Sequence, residues 1–442
     1  MLKKLLQGHL LFPLILVAGI GGSFQYGFNV SSINANSAYI KLFIAETWAE
    51  RFGTKLEDTT VKLIWSLVVS IYPIGGLLGT LNAGHLAVKY GRKKVLLFNN
   101  LVDILAATIM LLSRMARSFE MIMVGRFLYG INAGIGLNVQ SMYLGESSPI
   151  KLRGVVSLTR AMFVAFGKVT GQTIGLREVL GTEHRWHFLL AFSGLPALIQ
   201  LISLPWFPDS PRYLLIDRQD KVLCLDGDFS EEIADMEAEQ AVIKGEGART
   251  AREMFRDRSI RWQLITNVMV TVAMQLCGIN AVSIIVLVLV LADCEFALTQ
   301  ARFTWMPYCS IFLIFAYIFS YGMGPAGVTA IIPFEIFTQS CRPVAYAING
   351  TFHWLGLFVM GMVFPFIVEG LGPFCFLIFL GDCLVIAVYV FIILPETKGK
   401  SILEITAEFQ KLNQRRAGPV TLLDGVKFKQ NNPEIFIIAT KL

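Results

Sequence analysis

Charged side chains are scarce in this sequence. Asp, Glu, Lys and Arg together make up 16% of its 442 residues, whereas 55% of the residues are hydrophobic. Soluble domains carry about 25% charged residues, so this chain has too few charges to cover the surface of a soluble protein of its size. The abundance of apolar residues also excludes global disorder. The composition therefore indicates a polytopic membrane protein, in which lipid replaces water around most of the chain.

The sequence also lacks the residue groupings that disulfide frameworks, metal sites and enzymes need. Its seven cysteines include no Cys-x-x-Cys pair, and most lie inside apolar runs, where cysteine is a small buried hydrophobic residue. We find no nucleophile–base set, no metal-ligand cluster and no phosphate-binding loop. We therefore expect neither an enzyme nor a bound cofactor or metal. The formal net charge of +6 is modest and gives no reason to expect a nucleic-acid partner.

Ten apolar stretches are long enough to cross the bilayer, which requires about 20 helical residues. They are residues 10–33, 63–88, 95–112, 121–143, 155–176, 188–207, 264–292, 306–337, 345–368 and 371–394. The stretch 264–292 is too long for one plain span, so we expect it to tilt, break or include a second short element. Lys3 and Lys4 precede the first stretch as in a signal peptide, but no clear cleavage pattern follows, so we expect an uncleaved helix.

Basic residues indicate on which side of the membrane each loop lies. They precede the first span, crowd the turn 89–94 between the second and third spans, and follow the fourth span at Lys151 and Arg153. Because Lys and Arg concentrate in cytoplasmic loops, we expect a cytoplasmic N-terminus. Ten crossings then return the C-terminus to the same side.

The predicted spans divide into two unequal groups. We expect residues 1–207 to form an N-terminal six-helix bundle and residues 260–397 a shortened C-terminal bundle of about four helices. Residues 208–259 are rich in charge and predict a cytoplasmic insert with short helices. Residues 398–442 are polar and predict a cytoplasmic tail that is partly disordered.

An internal repeat relates the two groups of spans. Glu146 precedes Arg153 by seven residues, and Glu335 precedes Arg342 by the same interval. Each glutamate is followed by a Pro-Asp or Pro-Glu pair, whose acid lies 63 residues downstream in the first half and 61 in the second. Two related halves with a substrate site between them near mid-membrane are typical of many secondary transporters.

These motifs resemble those of the sugar-porter branch of the major facilitator superfamily, and specifically of the facilitated glucose transporters (solute carrier family 2). As an ordered set they cover nearly the whole chain and are highly specific. They are Gly91-Arg92-Lys93-Lys94, Gly125-Arg126, Glu146 with Arg153, Pro208-Asp209-Ser210-Pro211-Arg212, residues 275–281, Gly324-Pro325, Glu335 with Arg342-Pro343, and Pro395-Glu396-Thr397-Lys398-Gly399. Residues 24–29 and 142–146 are similar to the fructose-accepting class of that family, and residues 118–123 and 324–329 to its eleventh member. The resemblance implies an all-α polytopic membrane protein with the major facilitator fold and two helical bundles.

The chain departs from this family in its second half. The family has twelve spans, and Gly91-Arg92 stands about 53 residues before Glu146. No such motif lies at the matching distance before Glu335, so we expect about two spans, the eighth and ninth, to be missing. Ala45 also removes the N-glycosylation acceptor that relatives often carry in the first outer loop. A splice product, an incomplete gene model and a divergent paralogue all fit this pattern.

A sugar is a ring of hydroxyl groups with small apolar faces, so its site needs neutral hydrogen-bonding groups and an aromatic platform. Polar side chains inside lipid are costly and tend to face the bundle interior. Those within the predicted spans are Gln25, Asn29, Asn132, Asn138, Gln140, Gln172, Gln275, Asn280, Asn349 and His353. Any one of them alone is more often a helix–helix hydrogen bond than a ligand contact.

The resemblance implies which side chains contact the sugar. The substrate-binding residues that it indicates are Tyr26, Gln275, Asn280, His353 and Trp354. Histidine at position 353 is similar to the fructose-accepting class. A tenth-helix acid of the family is replaced by Gly322, which argues against proton coupling because a coupled porter needs a titratable group in its cavity. Asp103 and Asp382 are the remaining mid-membrane carboxylates, and we expect Asp103 to lie near a helix end.

The resemblance also assigns a conformational switch to six charged residues, which we expect at cytoplasmic helix ends. They are Arg92, Arg126, Glu146, Arg153, Glu335 and Arg342. Charge pairs that form in one state and are hydrated in the other bias a two-state equilibrium. The alternative is that these charges only set the topology.

Together these inferences favour a facilitative transporter for a hexose, fructose or glucose, that works as a uniporter by alternating access. Its expected partners are the hexose and the lipid bilayer, and the family implies the plasma membrane. The alternative is a truncated, non-transporting membrane protein of the same family that acts only by association.

Overall fold

The computed structural model describes residues 10–148, 152–210, 213–214, 251–257, 260–276, 341–371 and 375–396, with 332, 336–337, 405 and 408–409. Within them every regular element is helical, so the all-α prediction is confirmed. The helices are α1 Leu11–Gly19, α2 Gln25–Ala35, α3 Ser37–Phe52, α4 Asp58–Tyr90, α5 Arg92–Ser113, α6 Phe119–Ser147, α7 Arg153–Ile174, α8 Trp186–Ala191, α9 Gly194–Ser203, α10 Ala251–Arg256, α11 Arg261–Leu276, α12 Arg342–Leu371 and α13 Cys375–Ile393.

Six helical stretches of the described residues are long and apolar enough to cross a membrane. They are Leu11–Ala35, Asp58–Tyr90, Arg92–Ser113, Phe119–Ser147, Trp186–Trp206 and Val344–Ile367. The first joins α1 and α2 through a π-helical turn, Ile20–Phe24. Most of the predicted spans 264–292 and 306–337 lies outside the described residues, so the number of ten spans stays a prediction. The helix α7 has the length of a span but is not among the six, and three basic residues interrupt it.

The helices are longer than the apolar stretches that predict them. The span predicted at 63–88 belongs to α4, whose 33 residues make it about 50 Å long, well beyond the 30 Å of hydrocarbon. It ends at Gly91, whose φ of +90° favours glycine, and α5 begins at the next residue. Lys89 lies in the last turn of α4, where a cation complements the helix dipole. Hydropathy marks the lipid-facing part of each helix and misses its polar ends.

Glycine brings α4 and α6 into direct backbone contact. A Cβ atom on Gly130 would stand 2.1 Å from the carbonyl oxygen of Tyr72, and one on Gly134 would stand 2.2 Å from that of Gly76. Gly75 meets the backbone of α6 in the same way. Small residues four apart on two facing helices permit this close approach in membranes, where association relies on packing. A similar contact joins α2 to α7.

The C-terminal helices attach to the N-terminal ones through α12. This helix packs against α4 on one side and against α11 on the other, while α13 packs on α11. A second contact lies within the C-terminal part, where Ile405 and Phe409 are buried in one cluster with Met254 and Phe337. The described residues of the predicted tail therefore pack against the α10 segment of the predicted insert.

The connection between the first two predicted spans is helical. Residues Ser37–Phe52 form α3, which ends at Gly53 with φ +68°. Exposed ion pairs tie it to the α5–α6 turn: Arg51 to Glu120 at 2.6 Å and Glu50 to Arg117 at 2.6 Å. Such exposed pairs contribute little to stability individually, so they serve mainly to orient the helix.

Candidate functional site

A chain of three side chains links the two halves of the molecule. Tyr26 on α2 hydrogen-bonds His353 on α12, with 3.2 Å between the hydroxyl and Nε2. The amide Nε2 of Gln275, on α11, donates to His353 Nδ1 at 2.5 Å. The sequence predicts that these three residues bind substrate, and the structure brings them together. Asn280, the fourth polar residue of that prediction, lies outside the described residues.

The proton positions in this chain follow from its donors. Because an amide nitrogen can only donate, Nδ1 of His353 accepts, and a neutral ring then carries its proton on Nε2. That proton is donated to the Tyr26 oxygen. The hydroxyl hydrogen of Tyr26 has no acceptor among the described residues, so it is available to a ligand hydroxyl. The arrangement is neutral and offers a directional donor, which suits an uncharged polyol.

Trp354 lies behind this chain as a buried aromatic wall. Its ring meets Tyr26 edge-on at 5.8 Å between centroids and is 2% exposed. Its indole N–H donates to Thr80 Oγ1 at 2.7 Å, and a Cβ atom on Gly76 would stand 2.4 Å from the ring. The structure thus places Trp354 at the site, where it supports Tyr26 and fills the α4–α12 contact.

A second polar cluster is buried entirely within the N-terminal helices. Asp103 is fully buried and accepts from Gln25 Nε2 at 3.3 Å and from Ser193 Oγ at 3.2 Å. Asn29 donates to the same serine. The prediction that Asp103 lies near a helix end is wrong, because it lies in the middle of α5 and faces the polar side of α2. Hydropathy could not show this, since it does not distinguish an inward-facing carboxylate from one at a boundary.

Arg126 belongs with this buried cluster and not with the predicted switch charges. It lies two turns into α6, toward the end opposite Glu146, so the prediction that places it with the others at cytoplasmic helix ends is wrong. Its guanidinium stacks over Tyr72 at 4.4 Å and donates to the backbone oxygen of Asn29 at 2.8 Å. Neither contact involves a carboxylate, and among the described residues the Nε of Arg126 has no hydrogen-bond partner.

The other switch charges that the structure describes do meet. Arg92 Nη2 lies 2.9 Å from Glu146 Oε1, with side-chain exposures of 6% and 13%. Ser210 Oγ donates to the second oxygen of Glu146 at 2.6 Å, and Tyr213 lies under the guanidinium at 5.4 Å. Three separate sequence motifs therefore converge on one charge cluster. Glu335 and the side chains of Arg153 and Arg342 lie outside the described part of the chain.

Several predicted polar candidates are helix–helix hydrogen bonds. Asn99 and Asn132 exchange bonds between α5 and α6, each amide donating to the other's backbone oxygen at 2.9 and 3.0 Å. Gln140 accepts from both the N–H and the hydroxyl of Ser23 at 2.7 Å. These residues hold the N-terminal helices together, as the alternative interpretation of them predicts.

Sequence reasoning missed two basic residues near the site. Arg160 and Lys168 lie on α7, and both are within electrostatic range of His353. The signal that could have found them is the low hydropathy of α7, which is as long as a span yet carries charges at its centre.

Comparisons with known proteins find relatives over nearly the whole chain. The sequence profile of the family described as sugar (and other) transporter matches residues 14–286 and 281–409. Human solute carrier family 2, facilitated glucose transporter member 11 is 42% identical over 480 aligned positions, which cover 95% of this chain and 97% of that protein. Member 5 from Bos taurus is 38% identical over 90% of this chain and 92% of its own length.

The fold is that of a solved sugar transporter. The inward-open structure of the xylose transporter XylE from E. coli superposes with a TM-score of 0.70 at 19% identity, covering 90% of this chain and 99% of that one. A second XylE structure is described as a proton:xylose symporter of the major facilitator superfamily, with a TM-score of 0.68. The predicted major facilitator fold is therefore confirmed.

The alignment with human member 11 also leaves gaps in this chain. Its 480 aligned positions exceed the 442 residues that the chain possesses. The two matched pieces of the family profile meet at residues 281–286, near the place where the second Gly-Arg motif is expected.

Proposed function

Because the chain belongs to the sugar transporter family, and within it to the facilitated glucose transporters of solute carrier family 2, we propose that it carries a hexose across the plasma membrane by uniport. It is a multi-pass membrane transporter and not an enzyme. Fructose and glucose are the proposed substrates. Both termini and the 208–259 insert are proposed to lie in the cytoplasm.

The observation that carries this proposal is the Tyr26–His353–Gln275 chain. Its members come from α2 in the N-terminal half and from α11 and α12 in the C-terminal half. A ligand bound there contacts both halves at once, so its binding is linked to their relative orientation. The groups are uncharged and include one unused hydroxyl donor, which matches a sugar hydroxyl.

Alternating access also needs contacts that form in one conformation and break in the other. The Arg92–Glu146 pair, with Ser210 and Tyr213, forms a charge cluster that joins α5, α6 and the segment after α9. We propose that related pairs involving Arg153, Glu335 and Arg342 complete this switch and that they separate when the halves rock. Arg126 is not included, since its contacts lie in the buried cluster around Tyr72.

Uniport is supported by the surroundings of Asp103. This carboxylate is fully buried, and its partners are the neutral side chains Gln25 and Ser193 within the N-terminal helices. It does not contact the Tyr26–His353 pair. Since no contact among the described residues joins this carboxylate directly to the Tyr26–His353 pair, we propose transport without proton coupling.

The test is sugar flux into proteoliposomes that contain the full chain. We expect saturable uptake of radiolabelled D-fructose or D-glucose, with L-glucose and protein-free liposomes as controls for leak. Uptake should stop when the inside and outside concentrations are equal. Folded protein that gives no stereospecific flux would contradict the proposal.

The second candidate function is a non-transporting member of the family. The gaps in the alignment with human member 11 favour it, because missing spans would open the wall of the C-terminal half. In that case the purified chain gives no flux, yet it associates with a full-length relative. Co-purification of the two tagged chains from one membrane distinguishes this candidate from the uniporter.

A further inference from the structure

The wall of the candidate site contains a cation that a neutral sugar does not require. Arg160 lies seven residues after the start of α7, about 10 Å along the helix. Its side chain is exposed, yet it reaches Ser141 on α6 and lies within electrostatic range of Tyr26 on α2 and Tyr346 on α12. A side chain with neighbours on three other helices faces the interior of the bundle.

Arg160 is poorly compensated there. Its hydrogen bond to the Ser141 hydroxyl is 3.4 Å long, and no carboxylate of the described residues lies within ion-pair distance of it. A cation inside a membrane bundle is costly unless something pairs with it, and for this reason intramembrane charges mark functional sites. The buried Arg126, by contrast, stacks over Tyr72 at 4.4 Å and donates a 2.8 Å hydrogen bond to the Asn29 carbonyl.

Lys168 adds a second positive charge to the same wall. It follows Arg160 by eight residues on α7, a rise of about 12 Å, and is partly exposed. Both cations lie within electrostatic range of His353, which is bonded to Tyr26 and Gln275. The hydroxyl-binding chain therefore lies within the field of two cations.

We propose that this site binds a sugar acid, a monoanionic polyol whose hydroxyl groups contact the Tyr26–His353–Gln275 chain and whose carboxylate pairs with Arg160. The inference rests on the proposed function for the hydroxyl-binding part of the site and extends it to an anionic substrate class. A planar guanidinium is well matched to a carboxylate, because it offers two parallel donors.

The test is equilibrium binding of radiolabelled D-glucuronate to the full chain purified in detergent. We expect saturable binding that unlabelled D-fructose displaces. Arg160→Gln should weaken D-glucuronate binding about tenfold relative to D-fructose, since it removes a charge-assisted hydrogen bond. Arg160→Lys should restore part of the loss. Lys55→Gln removes an equal charge from an exposed loop and is the matched control, with binding expected to equal that of the wild type.

A second measurement uses the charge of the ligand. In proteoliposomes, uptake of D-glucuronate should accelerate when the interior is made positive with a potassium gradient and valinomycin, whereas D-fructose uptake should not respond. Size-exclusion chromatography of each variant checks that it is folded.

The outcomes separate this inference from the proposed function. Binding of D-fructose without any binding of D-glucuronate overturns the inference and leaves the hexose proposal in place. Binding of D-glucuronate without hexose binding or flux overturns the hexose proposal and leaves the anion site. Equal D-glucuronate affinity in the wild type and in the folded Arg160→Gln variant also overturns the inference, because the cation then has no part in binding.

Discussion

At the scale of single residues, the site is held by a histidine whose two ring nitrogens are both occupied. Gln275 fixes the tautomer of His353, and His353 then orients Tyr26. The imidazole thus positions a hydroxyl donor on another helix as well as lining the site. Removing the ring leaves Tyr26 without its partner and Gln275 without its acceptor at Nδ1.

His353→Ala tests this arrangement. Without the ring, Tyr26 is no longer held in place to donate to the sugar. We therefore expect the KM for D-fructose to rise about tenfold, as for the loss of one hydrogen bond to the ligand, while the amount of protein in the membrane is unchanged. Initial uptake rates over a range of sugar concentrations measure it, with surface labelling as the control. Unchanged uptake kinetics would remove His353 from the site.

Asp103→Asn tests uniport at the same scale. Asparagine keeps an oxygen that can accept from Gln25 and Ser193, so we expect a change in stability of no more than about 1 kcal/mol and D-fructose uptake close to that of the wild type. An imposed inward proton gradient should affect neither protein. If the gradient drives accumulation in the wild type but not in the variant, the transporter is proton-coupled through Asp103.

The sequence alone could supply part of this residue-scale picture. Tyr26, Gln275 and His353 were identified by resemblance, because their motifs are specific. The predicted positions of Asp103 and Arg126 are wrong, because the depth of such a residue in the helix bundle depends on which face of its helix meets a polar neighbour. The sequence does not single out Arg160 for a related reason. A charge inside a predicted span indicates a functional site only once the helices around it are known.

At the scale of elements, helix existence was predictable and helix length was not. The apolar stretches 63–88 and 95–112 identify α4 and α5, but the helices run as Asp58–Tyr90 and Arg92–Ser113. Their ends carry charged residues that belong in water, so a hydropathy profile omits them. The glycine contacts between α4 and α6 depend on which faces of the two helices meet, and a hydropathy profile does not report this.

Gly130→Ala tests those contacts. The added methyl group would meet the backbone oxygen of Tyr72 at 2.1 Å, so the helices must separate, at a cost of about 1–3 kcal/mol. We expect a lower thermal unfolding temperature for the purified protein. Gly84→Ala is the matched control on α4, because open space surrounds that position, and alanine there should be neutral or slightly stabilising. Equal destabilisation by both variants would refute the packing argument.

At the scale of the whole molecule, the two-halved organisation was predictable from a repeated acid–base spacing. The major facilitator fold followed from the resemblance, and the comparison with XylE bears it out. The sequence could not show how the halves meet, because that depends on packing between helices far apart in the chain. In the structure the α4–α12 contact joins them, through Trp354 seated on Gly76.

The Arg92–Glu146 pair gives a prediction at this scale. Because both side chains are largely buried, we expect Arg92→Gln and Glu146→Gln each to destabilise the protein and slow D-fructose turnover. In a double-mutant cycle the coupling free energy between them should be about 1–3 kcal/mol, measured by thermal unfolding of the four proteins. A coupling near zero would mean that the pair only sets the topology.

The Trp354 contact has an optical consequence. Its indole belongs to one half of the transporter, while Thr80 and Gly76, against which it rests, belong to the other. When the halves move apart, the ring loses a hydrogen bond and meets water, so its fluorescence should shift to the red. Subtracting the emission spectrum of the Trp354→Phe variant isolates the signal of Trp354 among the seven tryptophans. That signal would report each transport cycle without an added dye.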